Sequence, residues 1–217
     1  EKNKDLLVIP NVKVIQADLT DELVLRETTK DASLIINTVG ILNEGKGLDS
    51  FKSIHVNLIN KISKTIQFNK IKRILHISSL NADELAPSMY LKTKSEGEKI
   101  LLADTSNYCN VTIFRPSIVF GENDSFFNKF KLILKLSLIF PLACPKTKLS
   151  PVYVQDLANF MIQTINDKTK YGESINVTGP KNYMFIDLIK FMLNTLKIKR
   201  LIIPLPNFLS KIQAYIF

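Results

Sequence analysis

Short β-branched runs alternate with longer stretches of helical periodicity from Val12 to Val119, and this rhythm restricts the chain more than any other feature. Residues 12–17 (VKVIQA) read as a strand, followed by Asp18-Leu19-Thr20-Asp21 and a helix to about Lys30. Residues 33–39 (SLIINTV) form a nearly continuous apolar run, the pattern of a strand covered on both faces. Residues 51–69 place Phe51, Ile54, Leu58, Ile62 and Ile66 on one helical face. A strand at 73–78 (RILHIS), a helix at 89–103 and a strand at 111–119 (VTIFRPSIV) continue the alternation. Strand, helix and strand at this spacing predict an α/β fold built on a doubly wound parallel sheet.

After Gly121 the rhythm changes. Residues 126–140 read as an amphipathic, lysine-bearing helix ended by Pro141 and Pro145. A short extended stretch at 151–154 precedes a helix at 156–166 capped by Asp156, and Gly179-Pro180 stops a strand at 174–178. A helix from about Phe185 to Leu196 and an apolar segment at 201–205 complete the pattern. The expected organisation is a doubly wound domain over 1–122 and a small C-terminal α/β lobe over 123–217, with some return to the sheet. Such a lobe would rest at the carboxyl edge, where open α/β sheets bind ligands.

Charge points to nucleic acid only at first sight. Of 29 basic residues against 20 acidic ones, four are arginines (Arg26, Arg73, Arg115, Arg200). The rest are scattered lysines, a solvated surface rather than a reader of bases, so no nucleic-acid partner is expected. Cys109 and Cys144 are too few for a disulfide framework, and with the isolated His55 and His76 they anchor no metal site. No run reaches the roughly 18 apolar residues of a spanning helix; the best, 132–144, is broken by Lys135 and Pro141. Residues 126–144 carry Lys129, Lys131 and Lys135 among large apolar side chains, and two readings stay open. One is a core helix with lysines reaching outward; the other is an interfacial or partner-docking helix turned to anionic lipid. The apolar stretch 202–217 adds to a docking surface.

The chemistry concentrates at Tyr90-Leu91-Lys92-Thr93-Lys94, a Tyr-x-x-x-Lys at the start of a helix that follows a strand ending in Ser78-Ser79. Residues i and i+4 share a helix face, and a nearby ammonium favours the phenolate, so Tyr90 is expected to have a lowered pKa suited to acid/base work. Lys94 can also bond a ribose, and Ser79 can orient a carbonyl or hydroxyl.

Ser78-Ser79, Tyr90-x-x-x-Lys94 and Arg115-Pro116-Ser117-Ile118-Val119-Phe120-Gly121 together resemble the extended and atypical short-chain dehydrogenase/reductases, of the NAD-dependent epimerase/dehydratase type. The resemblance implies a Rossmann-type sheet that binds NADP(H) or NAD(H). It implies that Asp18, with Leu19, contacts the adenine, and that the turn Asn37-Thr38-Val39-Gly40 lies under the adenine ribose. It also implies catalytic roles for Asn57, Ser79, Tyr90 and Lys94, cofactor contacts from Ser78, Tyr90 and Lys94, and Pro116 beside the nicotinamide. Asp18 is equally well placed to cap the helix after it.

The match narrows further. His76-Ile-Ser-Ser-Leu-Asn-Ala-Asp83, Gly97-Glu98-Lys99, residues 120–128 (FGENDSFFN), 151–156 (PVYVQD) and Gly179-Pro180-Lys181-Asn182-Tyr183 resemble the nucleotide-binding accessory subunit family of respiratory complex I. That resemblance implies tight NADPH binding without known turnover, with complex I subunits or the membrane surface as partners. It implies a peripheral place on the cytoplasmic face of a bacterial inner membrane or on the mitochondrial matrix side. The other reading is an active oxidoreductase or epimerase acting through Ser79, Tyr90 and Lys94 on a sugar nucleotide or quinone precursor. Two departures stand out. The seven glycines form no Gly-x-x-Gly-x-x-Gly, so a phosphate-binding βαβ unit is expected before Glu1. Ser79 and Tyr90 are also only 11 residues apart, which leaves less room for a substrate wall.

Overall fold

A computed structural model describes residues 4–105 and 107–205. The chain divides into two units interleaved in sequence, Glu1–Phe114 with Asp167–Ile175, and Arg115–Asn166 with Asn176–Phe217. In chain order the elements are α1 (Glu22–Thr28), β1 (Leu34–Asn37), a π-helical turn (Ser53–Asn57) running into α2 (Leu58–Asn69), β2 (Arg73–Ile77), α3 (Met89–Thr105) and β3 (Asn110–Pro116). There follow β4 (Val119–Phe120), α4 (Ser125–Leu136), β5 (Ile139–Leu142), β6 (Lys148–Leu149) and β7 (Val152–Tyr153). The chain continues through α5 (Val154–Gln163), β8 (Glu173–Val177), β9 (Tyr183–Met184), α6 (Phe185–Thr195) and β10 (Leu201–Pro204).

The first unit holds the sheet, ordered β1-β2-β3-β8. The pairing of β1 with β2 and of β2 with β3 is parallel, running from Leu34 opposite Arg73 to Ile77 opposite Phe114. Ile74, Leu75, Val111, Ile113 and Phe114 are buried, as the continuous apolar runs of a sheet covered on both sides require. Leu58, Ile59, Ile62 and Ile66 of α2 recur at helical spacing and pack on this core, joined by Leu101 of α3. Arg73 is buried within the unit. It donates to the Asn110 carbonyl at 2.9 Å and the Thr112 hydroxyl at 2.8 Å, and lies 4.6 Å from the Tyr171 ring. Arg26 pairs with Glu22 and stacks over Phe68 at 4.2 Å.

Three local expectations are corrected. Residues 12–17 form no strand; Val12, Val14 and Ile15 are exposed, and among the described residues no strand pairs with them. A strand exists only through a ladder partner. In the 3-2-1-4 order of a doubly wound sheet, this segment would lie beyond two further strands from β1. Second, Asp21 rather than Asp18 caps α1, accepting from the Leu23 and Val24 N–H groups at 2.8 and 3.4 Å. Third, α5 starts at Val154, with Asp156 inside its first turn, where its charge suits the helix dipole without capping it.

The second unit has its own core of Leu134, Phe140, Leu142, Ile189, Met192 and Leu193, with Phe127, Phe130 and Phe185 packed against it. Here the helix expected to reach Phe140 stops at Leu136. Ile139–Leu142 instead forms β5, paired in parallel with β10. Pro141 is tolerated because a two-stranded sheet is edge on both sides, so its missing N–H breaks no ladder. Arg200 caps the end of α4, donating to the Leu134 and Lys135 carbonyls at 2.7 and 3.3 Å. Of the 202–217 stretch read as a docking surface, residues 206–217 lie outside the described residues.

Candidate functional site

The carboxyl ends of β1 and β2 and the first turns of α3 bring most of the expected residues together in the first unit. Lys94, one turn into α3 from Tyr90, is 5% exposed and donates from Nζ to the Ile77 carbonyl at 3.2 Å. Gly40 faces it: a Cβ built there would come within 3.0 Å of Nζ. A side chain at this position would crowd the ammonium, which would have to shift by a few tenths of an ångström. Burial pushes Lys94 down to about 8, with the Glu98 carboxylate opposing.

Tyr90 is half-buried, and its hydroxyl bonds to Ser79. The expectation of a lowered pKa is overturned: burial raises it, and the Ser79 hydroxyl only partly opposes. Desolvation of the phenol, not the helix face it shares with Lys94, sets the direction. Ser79 thus joins Tyr90, while Ser78 does not line an open site. Its N–H continues the ladder to the Phe114 carbonyl at 2.7 Å, and its buried hydroxyl has no hydrogen-bond partner among the described residues.

Two histidines that sequence reasoning set aside as isolated are built into this site. The His55 ring stacks on Phe51 (5.4 Å between centroids) and meets the Tyr90 ring edge-on at 5.5 Å; Phe51 also meets Tyr90 at 5.7 Å. His55 Nε2 accepts from the Ile41 N–H at 3.3 Å, so its proton sits on Nδ1, 3.0 Å from the Thr93 hydroxyl. Burial first, then the Lys94 charge, hold His55 down to about 4. His76, at the end of β2, is buried and held down to about 3 by the same causes and His55. The available signal was the Phe51–His55 spacing of four, which puts both rings on one helix face.

Asn37 is spent on architecture. Its amide donates to His76 Nδ1 at 3.0 Å, and its Oδ1 accepts from the Val39 N–H at 3.1 Å, fixing the turn that carries Thr38 and Gly40. Thr38 is exposed, and Val39 packs on the core. Asp18 and Leu19 are exposed; Asp18 accepts from the Thr20 N–H and hydroxyl, both at 2.7 Å, which holds its carboxyl below the usual range. Asn57 ends the π turn and is exposed. Pro116 is buried as the last residue of β3, two past Phe114.

The π turn brings the His55 carbonyl so close to α3 that a Cβ on Gly97 would lie 2.3 Å from it. Gly97→Ala gains helix propensity worth about 1 kcal/mol, but the clash is against backbone and cannot relax by a rotamer change. The variant is expected to be net destabilised by about 1–2 kcal/mol, a fall of roughly 2–8 °C in thermal midpoint. A calorimetric midpoint at or above wild type would contradict this close approach.

Comparison with known proteins follows this geometry. Residues 69–188 match the model of the 3-beta hydroxysteroid dehydrogenase/isomerase family. The chain is 29% identical over 196 residues to mouse NADH dehydrogenase (ubiquinone) 1 alpha subcomplex subunit 9, mitochondrial, covering 89% of this chain and 51% of the relative. It is 26% identical to the NADH-ubiquinone oxidoreductase 40 kDa subunit of Neurospora crassa, covering 79% of this chain and 44% of that protein. The chain thus spans about half the length of the curated relatives it matches. The fold is similar to UDP-glucuronic acid 4-epimerase from Bacillus cereus in complex with NAD, with TM-score 0.76, 18% identity, 93% of this chain and 72% of that one. It is also similar to RMD from Pseudomonas aeruginosa complexed with NADPH, with TM-score 0.72, 16% identity, 89% of this chain and 77% of that one. The resemblance drawn from the motifs is therefore borne out in both the complex I subunits and the epimerase-type fold, and the chain belongs to the 3-beta hydroxysteroid dehydrogenase/isomerase family.

Proposed function

We propose that this protein binds NADP(H) or NAD(H) and serves as an accessory subunit of the respiratory complex I type, with the bound dinucleotide structural or redox-sensing. The observation that carries this reading is the buried Lys94 ammonium. It faces the bare Cα of Gly40 and is anchored by the Ile77 carbonyl. A buried cation is costly unless something bonds it. Among the described residues, the Ile77 carbonyl takes one of its three N–H donors. The remaining donors and the space kept by Gly40 suit ribose hydroxyls. These residues fit the ribose–nicotinamide end of a dinucleotide. The partner class follows the curated relatives, which are named as subunits of NADH dehydrogenase.

A bound nicotinamide supplies hydride-transfer chemistry. Lys94 would hold the ribose, and Ser79 would orient a carbonyl or hydroxyl. Tyr90 would keep its proton at the phenol oxygen, because burial raises its pKa. We place the protein peripherally, on the cytoplasmic face of a bacterial inner membrane or the matrix face of a mitochondrial one. Among the described residues no helix is long and apolar enough to cross a membrane.

The Ser79–Tyr90 hydrogen bond favours a second reading, a working oxidoreductase or epimerase on a sugar nucleotide or quinone precursor. Tyr90→Phe separates the two. Under the accessory-subunit reading, the full-length variant keeps its nucleotide and restores respiratory activity to a deletion strain at the wild-type level. Under the enzyme reading, the same change removes about 10²–10⁴-fold of turnover and fails to rescue.

A further inference from the structure

We propose that the outer face of the β5–β10 sheet, with the end of α4, lies against an anionic lipid surface. The two strands alternate as a half-buried sheet does, but their outer side lacks polar residues. Phe140, Leu142 and Ile202 turn to the core, while Ile139, Pro141, Leu201 and Ile203 face outward. Leu201 sits opposite Ile139 and donates its N–H to the Leu138 carbonyl, so the patch is continuous with the segment that leaves α4. Leu136 and Leu138 on that segment are 79% and 75% exposed, and Leu201 is 60% exposed. Contiguous apolar surface of this kind marks an interface.

The charge around the patch selects the occupant. From Ser125 to Gln155 there are five lysines (129, 131, 135, 146, 148) and no acidic residue. From Leu188 to Leu205 there are four cations (Lys190, Lys197, Lys199, Arg200) and again no acidic residue. Lys135, Lys197 and Lys199 are exposed. Protein interfaces are depleted in lysine, and a second copy would bring a like-charged rim against this one. A one-signed rim of flexible lysines around aliphatic side chains suits an interfacial position, with apolar groups at the acyl boundary and ammonium groups among phosphates. This surface lies wholly in the second unit. It specifies the membrane partner of the reading above but needs neither the nucleotide nor a respiratory subunit.

The test is flotation of the full-length protein with vesicles of pure phosphatidylcholine and with vesicles containing 30% phosphatidylglycerol (about three in ten lipids anionic). Binding to the anionic vesicles, weakened by salt, with little binding to the neutral ones, is expected. Lys135→Gln/Lys197→Gln/Lys199→Gln should weaken it on the order of a hundredfold, and Leu138→Asp/Ile203→Asp about tenfold or more. All five side chains are exposed, so both variants should keep the wild-type circular dichroism and melting curve. Equal binding to neutral vesicles, no binding, or undiminished binding by either variant overturns the proposal. So does a wild-type dimer in sedimentation that Leu138→Asp dissociates, since a second copy then covers the face. Flotation does not depend on the nucleotide, so a negative result leaves the dinucleotide reading intact.

Discussion

Replacing Lys94 with methionine is expected to stabilise the folded protein while depriving it of its dinucleotide. The ammonium is buried, and its pKa falls from 10.5 to about 8 because burial disfavours the charged form. At 1.36 kcal/mol per unit, keeping it charged at neutral pH costs about 3 kcal/mol. Loss of the bond to the Ile77 carbonyl offsets about 1 kcal/mol of the gain. A net stabilisation of about 2 kcal/mol follows, or roughly 4–8 °C in thermal midpoint for a chain of this size. Affinity should move the other way, on the order of a hundredfold weaker for NADP(H) or NAD(H), as two charge-assisted hydrogen bonds disappear. The pH dependence supplies a second signature. The unfolded chain holds the Lys94 proton up to its ordinary pKa, whereas the folded chain releases it near 8. Wild-type stability therefore gains a contribution as pH rises from about 8 towards 10.5, and the methionine variant lacks it. Thermal melts and titration calorimetry on the two full-length proteins, both stripped of nucleotide so that bound ligand does not stabilise the wild type, check both halves. A destabilised variant, or one with unchanged affinity, would contradict the role assigned to Lys94.

Acid should unfold the first unit well before its carboxylates are titrated. His55 and His76 are neutral in the folded chain, held down to about 4 and about 3, chiefly by burial. Once unfolded they take up protons at their ordinary value near 6.5. Below that pH the unfolded state binds more protons than the folded one, so stability falls as pH drops from about 6.5 to 4. The two groups together remove several kcal/mol over this window, comparable with the whole stability of a typical domain. Denaturant midpoints measured between pH 7.5 and 4.5 should fall steeply. His55→Asn and His76→Asn should each flatten the slope while lowering the starting value. A flat profile across this range would mean that the histidines are not buried as neutral rings.

These two predictions rest on features that the sequence displayed very unequally. The parallel sheet was legible, because the runs that became β1, β2 and β3 are rich in β-branched and other apolar residues and α2 between the first two carries a period-3.6 stripe. The Tyr90–Lys94 pair and Ser79 were legible through their spacing. The histidines were not. His55 reaches Thr93 and Ile41, and His76 reaches Asn37, partners 14 to 39 residues distant that only the sheet register and the α2–α3 packing bring together. The direction of the Tyr90 shift was misjudged for a related reason. Spacing on a helix shows that a lysine shares a face, but not how far burial desolvates the phenol. Residues 12–17 have strand composition without a ladder, and propensity alone cannot supply a partner. At 139–142, the single Pro141 made a paired strand read as the end of a helix.

The most direct test of the account is the nucleotide content of the full-length protein purified without added cofactor. Denaturation and chromatography should release close to one NADP(H) or NAD(H) per chain from the wild type, and little from Lys94→Met. Wild-type protein that carries no dinucleotide, and shows no saturable binding when NADPH or NADH is added, would contradict it.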